Sequence, residues 1–106
     1  MSSASVNFCQ GECTRLQAKL NHAQMLVREK RAAHEKAKGY EDEARRIRDR
    51  DRSRDELADR YDQARDEQRR AADELRQAER DEVTAQREYD RANQDYMNAA
   101  ANVSRR

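Results

Sequence analysis

The chain has 106 residues, 42% of them charged, with no Pro, no Trp, two Gly and one Phe. That length allows one domain at most, and five Leu, four Val and one Ile are too few to fill a compact globular core. The 23 Lys and Arg nearly balance the 22 Asp and Glu, which argues against a dedicated nucleic-acid binder, and the bias to Ala, Glu, Arg and Gln points to long helices rather than disorder.

Residues 1–11 read as a flexible N-terminal segment. Their start has neither the basic opening nor the apolar stretch of ~7–15 residues that marks a secretory leader. No apolar run in the sequence approaches the ~20 residues that cross a bilayer. The expected location is therefore cytoplasmic, with export by a leaderless route left open. Cys9 and Cys13 share one face of a helix if the segment is helical. They read as small half-buried thiols, with a disulfide as the alternative. Without a CxxC or HxxxH partner they fall short of the four ligands of a structural zinc.

Residues 12–50 read as the first helix. Apolar residues fall at Cys13, Leu16, Leu20, Ala23 and Val27, and a second series spaced by seven runs Leu26, Ala33, Tyr40, Ile47. The two series are out of phase, which places a slip of the heptad between Ala37 and Tyr40. Gly39 lies there and reads as a weakness of about 1 kcal/mol in a continuous helix rather than a kink.

A turn is predicted at residues 51–54. Ser53 with Glu56 three residues on has the spacing of a capping box. Residues 55–104 then carry the clearest pattern in the chain. Leu57, Ala64, Ala71, Ala78, Ala85, Ala92 and Ala99 are spaced by seven without a break, and Tyr61, Gln68, Leu75, Glu82, Tyr89, Tyr96 and Val103 form a parallel series. Helix propensity alone does not explain this phase; Ala at one seam position per heptad lets two helix backbones approach closely. Glu67, Glu74, Asp81, Glu88 and Asp95 flank the seam as an acidic stripe, suited to a basic neighbouring helix.

The fold class read from this is all-α, a long antiparallel two-helix hairpin with an alanine-rich coiled-coil seam. It pairs Leu26 with Ala78, Ala33 with Ala71, Tyr40 with Ala64 and Ile47 with Leu57. On the adjacent layers it sets Leu16 against Tyr89 and Ala37 against Gln68, and it closes Val6 and Phe8 over Tyr96 and Ala99. The rival is a single long helix in a parallel coiled-coil dimer, which would stack Arg54, Gln68 and Glu82 against their own copies and leave Ala facing Ala.

The sequence holds no Gly-rich phosphate loop and no nucleophile–base spacing, so no enzyme activity, cofactor or small-molecule substrate is expected. His22 and His34 read as partly exposed residues beside the seam. The sharpest local feature is Arg45, Arg46, Arg48, Arg50, Arg52 and Arg54, set against Asp49 and Asp51. Such a cluster at a hairpin tip suits an acidic protein, RNA or lipid head groups, although the lack of interleaved aromatics argues against base stacking. In length and hairpin pattern the chain is similar to the WXG-type secreted hairpins, with Ala37-Lys38-Gly39 in place of their Trp-x-Gly, and to type III secretion stalk and chaperone coiled coils; no motif ties it to either. The functional expectation is a non-enzymatic interaction module, a scaffold, adaptor or small helical chaperone. It would act on itself as a homo-oligomer or dock on a protein partner, with Leu20, Val27, Val83 and Met97 left beside the seam for that contact. The alternatives are an anion binder through segment 45–54 and a small secretion-associated hairpin.

Overall fold

The computed structural model describes residues 3–104. Two α-helices, α1 (Ser3–Arg50) and α2 (Asp55–Ser104), account for every described residue outside the turn at 51–54. The chain is an all-α helical hairpin, and the straight-helix alternative falls away at that turn. Propensity favours both helices, since Ala, Glu, Arg and Gln lose little freedom on helix formation.

Helix α1 begins well before the expected residue 12. The segment taken as flexible, 1–11, is helical from Ser3 onward, and Gly11 lies inside the helix; Met1 and Ser2 fall outside the described residues. Ser5, Val6, Cys9, Glu12 and Cys13 are half-covered. That cover offsets the roughly 1 kcal/mol that an internal Gly costs a helix.

Contacts gather in two units. The terminal unit combines residues 1–25 and 79–106. Here Leu16, Leu20 and Ala23 of α1 are buried, as are Ala85, Ala92 and Ala99 of α2, with Ala99 at 0% exposure and Ala85 at 2%. Leu20, Ala23 and Ala85 form one cluster, and Tyr89 packs against it. Ala85 of α2 thus meets both large Leu20 and small Ala23 of α1. Lys19 Nζ reaches Glu88 Oε2 at 3.0 Å across this pair. Phe8 does not close over Tyr96 and Ala99; it is 70% exposed.

The turn unit is residues 26–78. Its α2 seam follows the predicted heptad: Leu57, Tyr61, Ala64, Gln68, Ala71 and Leu75 are half-buried, and Ala78 is buried. Its α1 seam departs from the prediction. Ala33 is exposed, Tyr40 is 54% exposed, Ile47 is 40% exposed, and Leu26 is only half-covered. The covered residues are Val27, Lys30, His34, Ala37, Glu41, Ala44 and Arg48, of which Ala37 was expected in the seam beside Gln68. These continue the series begun at Leu20, so no slip occurs near Gly39. A helix holds one heptad phase more cheaply than it overwinds to change it. The polar residues are tolerated because their stems line the seam while their ends find water or a partner. His34 Nε2 lies 2.8 Å from Gln68 Nε2, and Lys30 Nζ lies 3.2 Å from Glu74 Oε2. Leu20 and Val27, expected to remain for self-association, are buried within the chain.

The turn is fixed by Asp51 rather than by the predicted capping box. Its Oδ1 accepts from the Ser53 backbone N–H at 3.3 Å and from the Ser53 hydroxyl at 2.6 Å. This is an Asx turn, in which the carboxylate stands in for a backbone carbonyl. The Asp51 N–H donates to the Arg48 carbonyl at 3.2 Å, and the Leu57 N–H donates to the Arg54 carbonyl at 3.1 Å. Ser53 is thereby committed to Asp51. Asp55 and Glu56 in the first turn of α2, and Arg48 and Arg50 in the last turn of α1, match the helix dipoles.

Candidate functional site

Three surfaces of the described residues compare with the sequence expectations: the arginine segment, a groove in the terminal unit, and the apolar stripe that the turn-unit seam leaves outside.

The six arginines do not form one free cationic patch. Arg45 pairs with Asp42 at 2.9 Å, and the Arg46 Nε donates to the Asp42 carbonyl at 3.4 Å. Arg48 bonds Asp49 at 3.0 Å and lies over the Tyr61 ring at 4.2 Å. Arg52 reaches the same Asp49 at 3.6 Å. Arg50 and Arg54 are exposed. Asp42 and Asp49 engage part of the segment, which keeps an excess of positive charge, and Arg48 is half-buried in the packing beside Tyr61.

In the terminal unit, an open groove of about 450 Å³ has an apolar floor of Phe8, Leu16 and Ala92. Charged residues of both signs rim it, among them Glu12, Arg15, Arg91 and Asp95. Glu12 and Arg15 form an i,i+3 pair at 2.9 Å. The hydrogen bond from Arg15 holds the Glu12 carboxyl below its ordinary range, and Glu12 raises Arg15 in turn. The prominence of Phe8 was legible in part, since it is the one Phe of the chain; its exposure was not.

Cys9 and Cys13 are both free thiols and half-covered. Partial burial, then the neighbouring Cys9, Asp95 and Glu12, push the Cys13 thiol up from its ordinary range. Among the described residues, no three His, Cys, Asp or Glu side chains converge as a metal-ligand set. Of the two histidines, His22 is exposed, whereas His34 lies in the seam and bonds Gln68.

The stripe in the turn unit is the surface that sequence reasoning named but assigned to the wrong contact. Tyr40 and Ile47, with Ala44 and Leu57, line a shallow groove edged by Glu43 and Arg60. Lys36 Nζ lies 5.9 Å from the Tyr40 ring centroid. Further exposed apolar side chains are Met25, Val83 and Met97.

No family model matches the chain, and no curated protein or solved structure is significantly similar to it. Among the described residues no helix is long and apolar enough to cross a membrane.

Proposed function

We propose that this chain is a non-enzymatic coiled-coil interaction module, binding through helix faces rather than through an enclosed pocket. One observation carries this reading. Among the described residues the buried core is Leu16, Leu20, Val27 and five Ala, while Phe8, Tyr40, Ile47 and Met97 stand outside it. A helix pair with so thin a core is marginal alone, and its largest apolar side chains remain for another surface. The competing idea, an anion-binding arginine tip, has less support because Asp42 and Asp49 already engage several of the guanidiniums.

The test is in-cell photo-crosslinking from an unnatural residue at Phe8, Tyr40 or Met97, with Arg69 on the exposed face as control. Discrete adducts from at least one of the three, and none from Arg69, support the reading. Absence of adducts from all three overturns it.

A further inference from the structure

Resting on that reading, we propose that the occupant of the exposed stripe on α1 is a second copy of this chain, packed antiparallel along residues 29–50. Ala33, Tyr40 and Ile47 recur every seven residues, the repeat of a helix-packing face. The hairpin's own seam runs through Val27, His34, Glu41 and Arg48 and leaves them exposed, with Tyr40 and Ile47 only bordering Ala44 and Leu57. Helix α1 thus carries two heptad faces one residue apart, and one of them is satisfied within the chain. A helix with adjacent faces of this kind belongs in a bundle of more than two helices.

Charge selects the partner. Beside the stripe, Glu29, Lys36, Glu43 and Arg50 also recur every seven residues, all exposed and alternating in sign. Reversed end to end, that row is its own complement. An antiparallel copy brings Glu29 opposite Arg50 and Lys36 opposite Glu43, each pair formed twice by the two-fold symmetry. The same alignment sets Ala33 opposite Ile47, small against large, and brings the two Tyr40 rings together at the axis. A parallel in-register copy would set like charge against like. Apart from its chain neighbours and its own helix backbone, Gly39 has no atom within 4 Å of where a Cβ would stand, so no packed side chain blocks approach there.

Sedimentation equilibrium of the full chain tests this, with a mass near twice 12.5 kDa expected at high concentration. Lys36→Glu and Glu43→Lys should each weaken the dimer about tenfold, because symmetry counts the altered pair twice, while the double variant restores it. Residues 36 and 43 are about 10 Å apart along one helix, so rescue reports a contact between chains rather than within one. Helical content by circular dichroism checks that each variant folds. A monomer at every concentration overturns the proposal, as does a dimer indifferent to the single reversals. In either case discrete adducts to another protein from Tyr40 would leave the interaction reading standing.

Discussion

The guanidinium of Arg48 lies over the ring of Tyr61, its carbon 4.2 Å from the ring centroid. Arg48 occupies an α1 seam position seven residues beyond Glu41, and Tyr61 an α2 seam position beside Leu57. The pair therefore fills a packing layer next to the turn with a cation and an aromatic face. Arg48→Ala and Tyr61→Ala should each lower stability by about 1 kcal/mol, and the double variant should lose less than their sum by about 0.5–1 kcal/mol. Urea denaturation of the four proteins measures that coupling; strict additivity would refute the stacking account.

Ala85 and Ala99 test the small-residue seam. Replacing Ala85 by Leu inserts side-chain volume where 2% exposure leaves no room, and overpacking of this kind costs about 1–3 kcal/mol. The same change at exposed Ala101 should be neutral within about 0.5 kcal/mol. Thermal melts compare the two, and equal melting points would mean that the seam does not need Ala.

The Asp51 turn separates two ways of ending a helix. Asp51→Ala removes the acceptor of both Ser53 bonds and should cost about 1 kcal/mol, the scale of a lost side-chain cap. Glu56→Ala should cost only a few tenths through the helix dipole, because Ser53 is turned to Asp51. A larger loss at Glu56 than at Asp51 would restore the capping box.

His34 and Gln68 form a polar layer, Nε2 to Nε2 at 2.8 Å. Leu at either position alone strands the other polar group and should cost about 1–2 kcal/mol. Leu at both replaces the layer with apolar packing and should recover that loss or exceed it. Chemical denaturation decides between this and simple additive damage.

The Cys13 thiol, pushed up by partial burial and by nearby Cys9, Asp95 and Glu12, should alkylate more slowly in the native chain than in urea at the same mildly alkaline pH, since the thiolate is the nucleophile. The linkage has a sign. A raised value favours the protonated folded form, so the contribution is full below the ordinary thiol range and fades as pH rises through the raised value. Mass spectrometry of alkylation in a Cys9→Ser background reads Cys13 by itself; a native rate equal to the unfolded rate would remove the burial account.

Helix α2 was legible because its signal is redundant. Seven small or apolar residues share one phase, and all of them are half-buried or buried. Helix α1 was half legible because apolar count and seam position diverge past Val27. There the packing layer takes in Lys30, His34, Glu41 and Arg48 between Ala37 and Ala44, while the larger Tyr40 and Ile47 lie on the neighbouring stripe. The deciding signal was present: His34 lies seven beyond Val27, and Val27 seven beyond Leu20. Hydrophobicity alone discards that signal, since a long polar side chain can hold a seam position by its stem. The early start of α1 was hidden by Gly11, whose intrinsic cost says nothing of the contacts that cover its neighbours. Among site residues, the arginines and their neighbour Asp49 were legible, while the pairing of Arg45 with Asp42 and the seat of Arg48 over the Tyr61 ring were not.

The contrast between the polar layers of the turn unit and the Leu–Ala cluster of the terminal unit has a kinetic side. Residues close to the turn meet after a short loop closure, at low entropic cost. Their layers, with His34, Gln68, Lys30 and Arg48, are those that water and competing ions loosen most readily. Leu20 and Ala85 must close a far longer loop, yet both end almost fully buried, at 3% and 2% exposure. The contacts that close the shortest loops are thus the more polar ones, and within the packed layers amide protons near the turn should trade places with solvent deuterium before those beside Leu20 and Ala85.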